Sequence, residues 1–144
     1  MSDQPTSPAL NLVGTWRLVE FWDQPSPDQP KQFPFGEHPL GYFVYDRSGH
    51  VHIQIARNPL LAPMSSEELS HASAEELRLT IESYVAYCGT YTVDAERGVV
   101  THHVEADVRR LFTGTDQERP FQMTENELRI SDGRSWFRRL IRVE

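Results

Sequence analysis

The clearest regular pattern in the chain is an alternation of apolar and polar residues over His50–Arg57, where Val or Ile occupies every second position from Val51 to Ile55. Successive side chains of a β-strand point to opposite faces, so this pattern predicts a strand with one buried face. Gly41–Asp46 is a second apolar segment, and the intervening Arg47-Ser48-Gly49 is a turn sequence. The two segments together predict a β-hairpin.

A second predicted hairpin, over Tyr84–Ala106, has an unusual apolar face. Tyr87 and Tyr91 share this face with valines in the first strand, and His102 shares it with valines in the second. A core that serves packing alone is mostly aliphatic, whereas a hydrophobic wall with a few polar groups is typical of a small-molecule pocket. We therefore expect this hairpin to line a ligand cavity.

The rest of the chain supplies further strands and one helical region. Residues 12–22, 117–124, 127–131 and 135–143 have strand patterns, and residues 107–114 are either a continuing strand or an irregular crossing. Residues 23–39 contain five prolines, which exclude a central strand or helix and predict a long loop whose aromatic residues pack over the fold. Serines followed by paired glutamates predict one broken helix, or two short ones, over residues 65–83.

About eight strands joined by short turns, without alternating helices, indicate an all-β fold. The arrangement predicts an antiparallel up-and-down β-barrel with a short helical insertion, and eight strands leave room for one small ligand. We expect residues 1–10, which are rich in Pro and Ser, to be a disordered tail, and residues 11–144 to form a single barrel domain.

Composition narrows the function classes. The net charge of −7 argues against nucleic-acid binding, which needs clustered Lys and Arg. Cys88 is the only cysteine, so no internal disulfide forms, and its position predicts the outer face of the sheet. No apolar run approaches the roughly 18 residues of a membrane helix, and the N-terminus lacks a hydrophobic signal region. These features predict a cytoplasmic protein, monomeric or homodimeric, that binds neither membranes nor nucleic acid.

Cofactors and metals are not expected. The chain has no Gly-rich phosphate loop, no Gly-x-Ser-x-Gly elbow and no His-Glu-x-x-His helix. His50 and His52 lie two residues apart, as metal ligands in a sheet often do, but they belong to the polar face of their strand. We expect both imidazoles to be solvated.

The pattern as a whole resembles the bacterial and fungal lipocalin-like domain family. The resemblance covers most of residues 12–131 and rests on Leu12–Leu18 with its Gly-x-Trp opening, Gly41–Gly49, Val51–Ile55, Tyr87–Tyr91, Val100–Glu105 and Gly114–Arg119. It implies a lipocalin-type β-barrel with a ligand-sized cavity, and some barrels of this kind act on reactive intermediates in natural-product biosynthesis. Glu20 departs from the family pattern, in which a small polar residue is usual.

If the apolar faces point inward, ten residues are predicted to bind the ligand: Trp16, Glu20, Phe43, Tyr45, Ile53, Tyr87, Tyr91, His102, Arg119 and Phe121. A buried arginine needs a partner. Arg119 either forms an ion pair with Glu20 or receives an anionic or carbonyl oxygen of the ligand. A bulge in the first strand would turn Glu20 outward.

Two functions use the same predicted cavity. In the first, the barrel binds a hydrophobic or aromatic, oxygenated small molecule. In the second, it is a cofactor-independent isomerase, cyclase or lyase of secondary metabolism, with His102 as acid or base and Tyr45, Tyr87 or Tyr91 as the proton donor. A third possibility, a structural interaction domain, requires a barrel filled by side chains.

Overall fold

The structure, a computed structural model, describes residues 11–143 and is a closed barrel of eight antiparallel strands in sequence order. The strands are β1 (Gly14–Asp23), β2 (Leu40–Tyr45), β3 (His50–Ala56), β4 (Tyr84–Asp94), β5 (Val99–Asp107), β6 (Asp116–Met123), β7 (Glu127–Ser131) and β8 (Trp136–Arg142). β1 pairs with β8 and closes the barrel. The predicted fold class is confirmed.

The helical insertion between β3 and β4 consists of two short helices, α1 (Ser66–Ser70) and α2 (Ala74–Glu82). Each begins with a capping box, in which Ser65 or Ser73 accepts a hydrogen bond from the backbone N–H of the third helical residue. Neither helix has a buried residue. The insertion therefore lies outside the barrel core. No helix in the described part of the chain is long and apolar enough to span a bilayer.

The two ends of the barrel differ. The short turns after β2, β4 and β6 lie at one end, where Trp16, Tyr45, Val100, Leu128 and Leu140 are completely buried. The longer connections, residues 24–39, 57–83 and 108–115, lie at the other end. One end is thus a packed core, and the other is framed by loops.

A β-bulge in β1 changes the predicted orientation of its second half. Leu18 pairs with Leu140 and Glu20 pairs with Arg139, so one residue of β1 has no counterpart on β8. Beyond the bulge, Phe21 is buried, whereas Glu20 is partly exposed on the outside. The inward placement of Glu20 that strict alternation predicts is therefore wrong.

Several outward placements agree with the sequence. Cys88 is exposed, and the side chains of His50 and His52 are about half exposed beside Asp46. After β5 the chain leaves the sheet, so residues 108–115 form an irregular crossing rather than a continuing strand. The predicted disordered tail, residues 1–10, lies outside the described residues.

Candidate functional site

A cavity of about 670 Å³ occupies the loop-framed end of the barrel. Its wall combines aliphatic and charged residues with several aromatic ones, among them Phe21, Phe35, Phe43, Phe112 and Trp136. Its size lies within the range of small-molecule sites, which are usually apolar with a few placed polar groups. The barrel is therefore packed at one end and open at the other.

Four of the ten predicted ligand-binding residues line this cavity: Phe43, Ile53, Tyr87 and Arg119. Trp16, Tyr45 and His102 are completely buried in the core instead. Tyr91 lies at the closed end, where its hydroxyl donates a hydrogen bond to the Asp46 carbonyl oxygen at 2.9 Å. Phe121 packs against the core without lining the cavity.

His102 forms the centre of a buried polar cluster with Tyr45 and Tyr87. Its Nε2 atom is 2.7 Å from the Tyr45 hydroxyl, and its Nδ1 atom is 2.6 Å from the Tyr87 hydroxyl. Tyr45 lies in the packed end, whereas Tyr87 contributes to the cavity wall. The cluster therefore connects the closed core with the floor of the cavity. We call these three residues the Tyr–His–Tyr cluster.

Burial keeps the cluster uncharged. Desolvation, assisted by the nearby Arg119 and His103, lowers the pKa of His102 to about 3. Burial also raises the pKa of Tyr45 well above its usual value, and raises that of Tyr87 against the opposing effect of Arg119. Near neutral pH the imidazole and both phenols are neutral. His102 is therefore a hydrogen-bonding residue rather than a cation in this setting.

Arg119 is the cation of the cavity wall with the weakest set of polar partners. Among residues 11–143, no carboxylate oxygen lies within 4.0 Å of its guanidinium. Its hydrogen bonds, to Gln117 Oε1 at 3.5 Å and to the Glu118 carbonyl oxygen at 3.4 Å, are long. The predicted Arg119–Glu20 ion pair does not form, because Glu20 Oε1 accepts from Arg139 Nε at 3.1 Å on the outside.

Two other charged groups of the cavity wall have polar partners. Arg138 donates to Asp23 Oδ1 at 2.9 Å and lies 3.4 Å from the ring centroid of Phe21. Asp107 accepts hydrogen bonds from the backbone N–H groups of Arg109 and Phe112, at 2.9 and 3.1 Å. These acceptors are engaged in holding the wall together. Among the described residues, neither Arg119 nor Arg109 has a carboxylate oxygen within 4.0 Å. Arg109 donates instead to the carbonyl oxygens of Ile81 and Tyr84, at 3.0 and 3.1 Å, whereas Arg119 has only long hydrogen bonds.

Sequence reasoning missed several wall residues. Arg138 is not among the predicted binding residues, yet it lines the cavity and its side chain is only 17% exposed. Phe21 was missed because the bulge is invisible to alternation. Phe35, 4% exposed, does follow the prediction that aromatic residues of the proline-rich loop pack over the fold.

The sequence matches the model of one protein family. The family model described as a lipocalin-like domain matches residues 13–137, which is most of the chain. The chain belongs to this family. A comparison with curated proteins finds no match. As a lipocalin-like barrel, the protein has a fold of the ligand-binding type, and its cavity lies where an open barrel end would admit a small molecule.

Coordination of a metal ion requires several ligating side chains close together. Residues 11–143 contain no group of three or more His, Cys, Asp or Glu side chains arranged to hold one. His103 instead bonds to Asp116 through Nδ1 at 2.8 Å and to Thr92 through Nε2 at 2.9 Å on the outer surface. These contacts tie β4, β5 and β6 together.

Proposed function

We propose that this lipocalin-like barrel binds a small hydrophobic or aromatic molecule that carries oxygen, in the cavity at its open end. The observation that carries the proposal is the position of Arg119 in a partly aromatic wall with no carboxylate of the described chain beside it. An oxygen of a ligand would supply the missing partner. The aromatic side chains would supply shape and apolar contact area.

The buried state of His102 supports binding rather than acid–base catalysis. Catalysis by His102 requires hydrogen-bond reach to a substrate proton. Both of its ring nitrogens are already bonded to tyrosines, and its side chain is 0% exposed. Of the residues predicted to take part in catalysis, Tyr45, Tyr91 and His102 are absent from the cavity wall, and only the alternative proton donor Tyr87 lines it. An isomerase, cyclase or lyase of secondary metabolism is therefore the second candidate.

The first test is native mass spectrometry of the purified protein, followed by thermal-shift screening with aromatic, polyketide-like and fatty-acid compounds. We expect native mass spectrometry to detect a co-purified molecule, or at least one screened compound to raise the unfolding temperature of the protein. Arg119→Gln should weaken its binding roughly 10-fold, the effect of losing one charged hydrogen bond. Arg129→Gln is the matched control, because Arg129 is an exposed residue of β7 that pairs with Glu127.

Other results would change the conclusion. If no compound binds, or if both arginine variants bind equally well, the cavity is not the site we propose. Chemical conversion of a bound compound, reduced about 100-fold in His102→Gln, would instead support the enzyme. Mass spectrometry of the compound before and after incubation distinguishes the two functions.

A further inference from the structure

The hydroxyl of Tyr45 has one hydrogen-bond acceptor within reach in the described part of the chain. Tyr45 is completely buried, and in the described part of the chain its hydroxyl has a single hydrogen-bond partner, His102 Nε2. A buried hydroxyl whose proton has no acceptor is strongly disfavoured. Tyr45 therefore donates to Nε2, and that nitrogen accepts.

This bond determines the tautomer of His102. A neutral imidazole has one accepting and one donating nitrogen, so an accepting Nε2 places the ring proton on Nδ1. Nδ1 then donates to the Tyr87 oxygen, 2.6 Å away. The opposite tautomer would leave the Tyr45 proton without an acceptor in the packed core. The two forms give Tyr87 opposite roles, as proton donor or as acceptor.

With its oxygen already accepting from His102, Tyr87 keeps its own proton for a further partner. Tyr87 lines the cavity, and Arg119 lies close enough to lower the pKa of its hydroxyl against the larger, raising effect of burial. Asp23 binds Arg138 and Asp107 accepts two backbone N–H groups. In the described part of the chain the Tyr87 hydroxyl bonds to His102 and to none of the cavity carboxylates, Asp23, Glu82 and Asp107. Two donors, a phenol and a guanidinium, therefore converge on one part of the cavity.

We propose that the cavity takes a small apolar carboxylate, whose oxygens accept from the Tyr87 hydroxyl and the Arg119 guanidinium. Tyr45 and His102 are positioning residues that fix Tyr87 as a donor without touching the ligand. This inference rests on the proposed function and specifies its ligand class. A carboxylate has only acceptors and carries the charge that Arg119 lacks, so it complements both groups.

The tautomer can be measured without any ligand. In protein labelled with ¹⁵N-histidine, the chemical shifts of the two ring nitrogens report which one carries the proton, and His102→Gln identifies the His102 signals by their disappearance. We expect a neutral ring protonated on Nδ1 at neutral pH. A proton on Nε2 would overturn the inference, whatever the cavity binds.

The ligand class can be measured with matched probes of nearly equal shape. We would titrate naphthoic acid and naphthamide, and then dodecanoic acid and dodecanamide, by calorimetry. We expect each carboxylate to bind roughly 10- to 100-fold more tightly than its amide, as charged hydrogen bonds imply. Tyr87→Phe should remove much of this preference, and Tyr45→Phe should reduce it while mixing the two tautomers. Tyr42→Phe is the control, because Tyr42 is a 43% exposed residue of β2 that does not line the cavity.

The outcomes separate this inference from the proposed function. If amides or other neutral compounds bind at least as tightly as carboxylates, or if only neutral compounds bind, the ligand class is wrong while the barrel remains a binding protein. A carboxylate preference unchanged in Tyr87→Phe overturns the role of the phenol. Thermal unfolding and circular dichroism of each variant show whether the barrel is intact, and a chemical shift that indicates the Nδ1 proton supports the donor assignment even where a variant is unstable.

Discussion

At the scale of single residues, the feature with the clearest consequence is the uncharged imidazole of His102. Burial and the neighbouring Arg119 and His103 lower its pKa to about 3, whereas an unfolded chain binds the same proton near pH 6.5. Between these two values the unfolded state holds a proton that the folded state does not. The free energy of unfolding must therefore fall as the pH falls through this window.

We predict that acidification from pH 7 to pH 5 lowers the free energy of unfolding by about 2 kcal/mol through His102 alone. Urea denaturation at both pH values measures it. His102→Gln, which keeps a donor and an acceptor, should lose most of this pH dependence. His52→Gln removes an imidazole that is about half exposed and should retain it. Parallel pH profiles for the wild type and His102→Gln would contradict the prediction.

At the scale of elements, alternation predicted the hairpins well and β1 poorly. β2 and β3 pair without interruption from Leu40–Ala56 to Tyr45–Val51, so the two-residue period holds along both strands. In β1 the bulge after Leu18 shifts that period by one residue. A bulge depends on pairing with a distant strand, here β8, and local sequence contains no sign of it. The missed placements of Glu20 and Phe21 have this single cause.

The bulge makes Glu20 a test of the corrected register. Glu20 contacts Arg139 and the indole of Trp22 on the outer face, and both charged side chains are about one-third exposed. We predict that Glu20→Ala leaves ligand affinity unchanged and lowers the free energy of unfolding by less than about 1 kcal/mol, as is usual for solvent-screened pairs. Calorimetry and urea denaturation measure the two effects. A large loss of affinity would mean that Glu20 reaches the cavity.

A second irregularity, between β4 and β5, depends on Gly89. The register shifts between Cys88 and Gly89, and a Cβ atom on Gly89 would lie 2.0 Å from the His103 carbonyl oxygen. Both partners belong to strand backbones, which move only with loss of pairing. We predict that Gly89→Ala lowers the free energy of unfolding by about 2 kcal/mol or more. The exposed neighbour Cys88→Ala should change it by less than about 0.5 kcal/mol in the same denaturation experiment.

At the scale of the whole molecule, the sequence predicted a barrel and its cavity but not where the cavity ends. Strand number, turn spacing and alternation suffice for the fold class, because each is a local property. The division between packed and open halves depends on how inward side chains from all eight strands meet. His102 and Tyr45 have the same inward direction as Tyr87, yet only Tyr87 reaches the cavity. Direction can be predicted from the chain, whereas depth along the barrel axis requires the assembled structure.

Arg142 covers the packed end of the barrel, and its contacts should contribute to the stability of the whole domain. Its guanidinium lies 4.1 Å from the ring centroid of the buried Trp16. It also donates to the carbonyl oxygens of Val13 at 3.0 Å and Glu125 at 2.7 Å, so one side chain joins the start of the barrel to its last strands. A lysine keeps the charge but lacks the planar fork that makes these contacts together.

We therefore predict that Arg142→Lys lowers the free energy of unfolding by roughly 1–3 kcal/mol, through lost hydrogen bonds and weaker packing on the indole. Arg129→Lys, on the exposed face of β7, is the control and should be nearly neutral. Ligand affinity should be unchanged in both variants, because the cavity lies at the opposite end of the barrel. If Arg142→Lys weakened ligand binding while the barrel stayed folded, the two ends would be coupled, and the packed half would have to be considered part of the binding site.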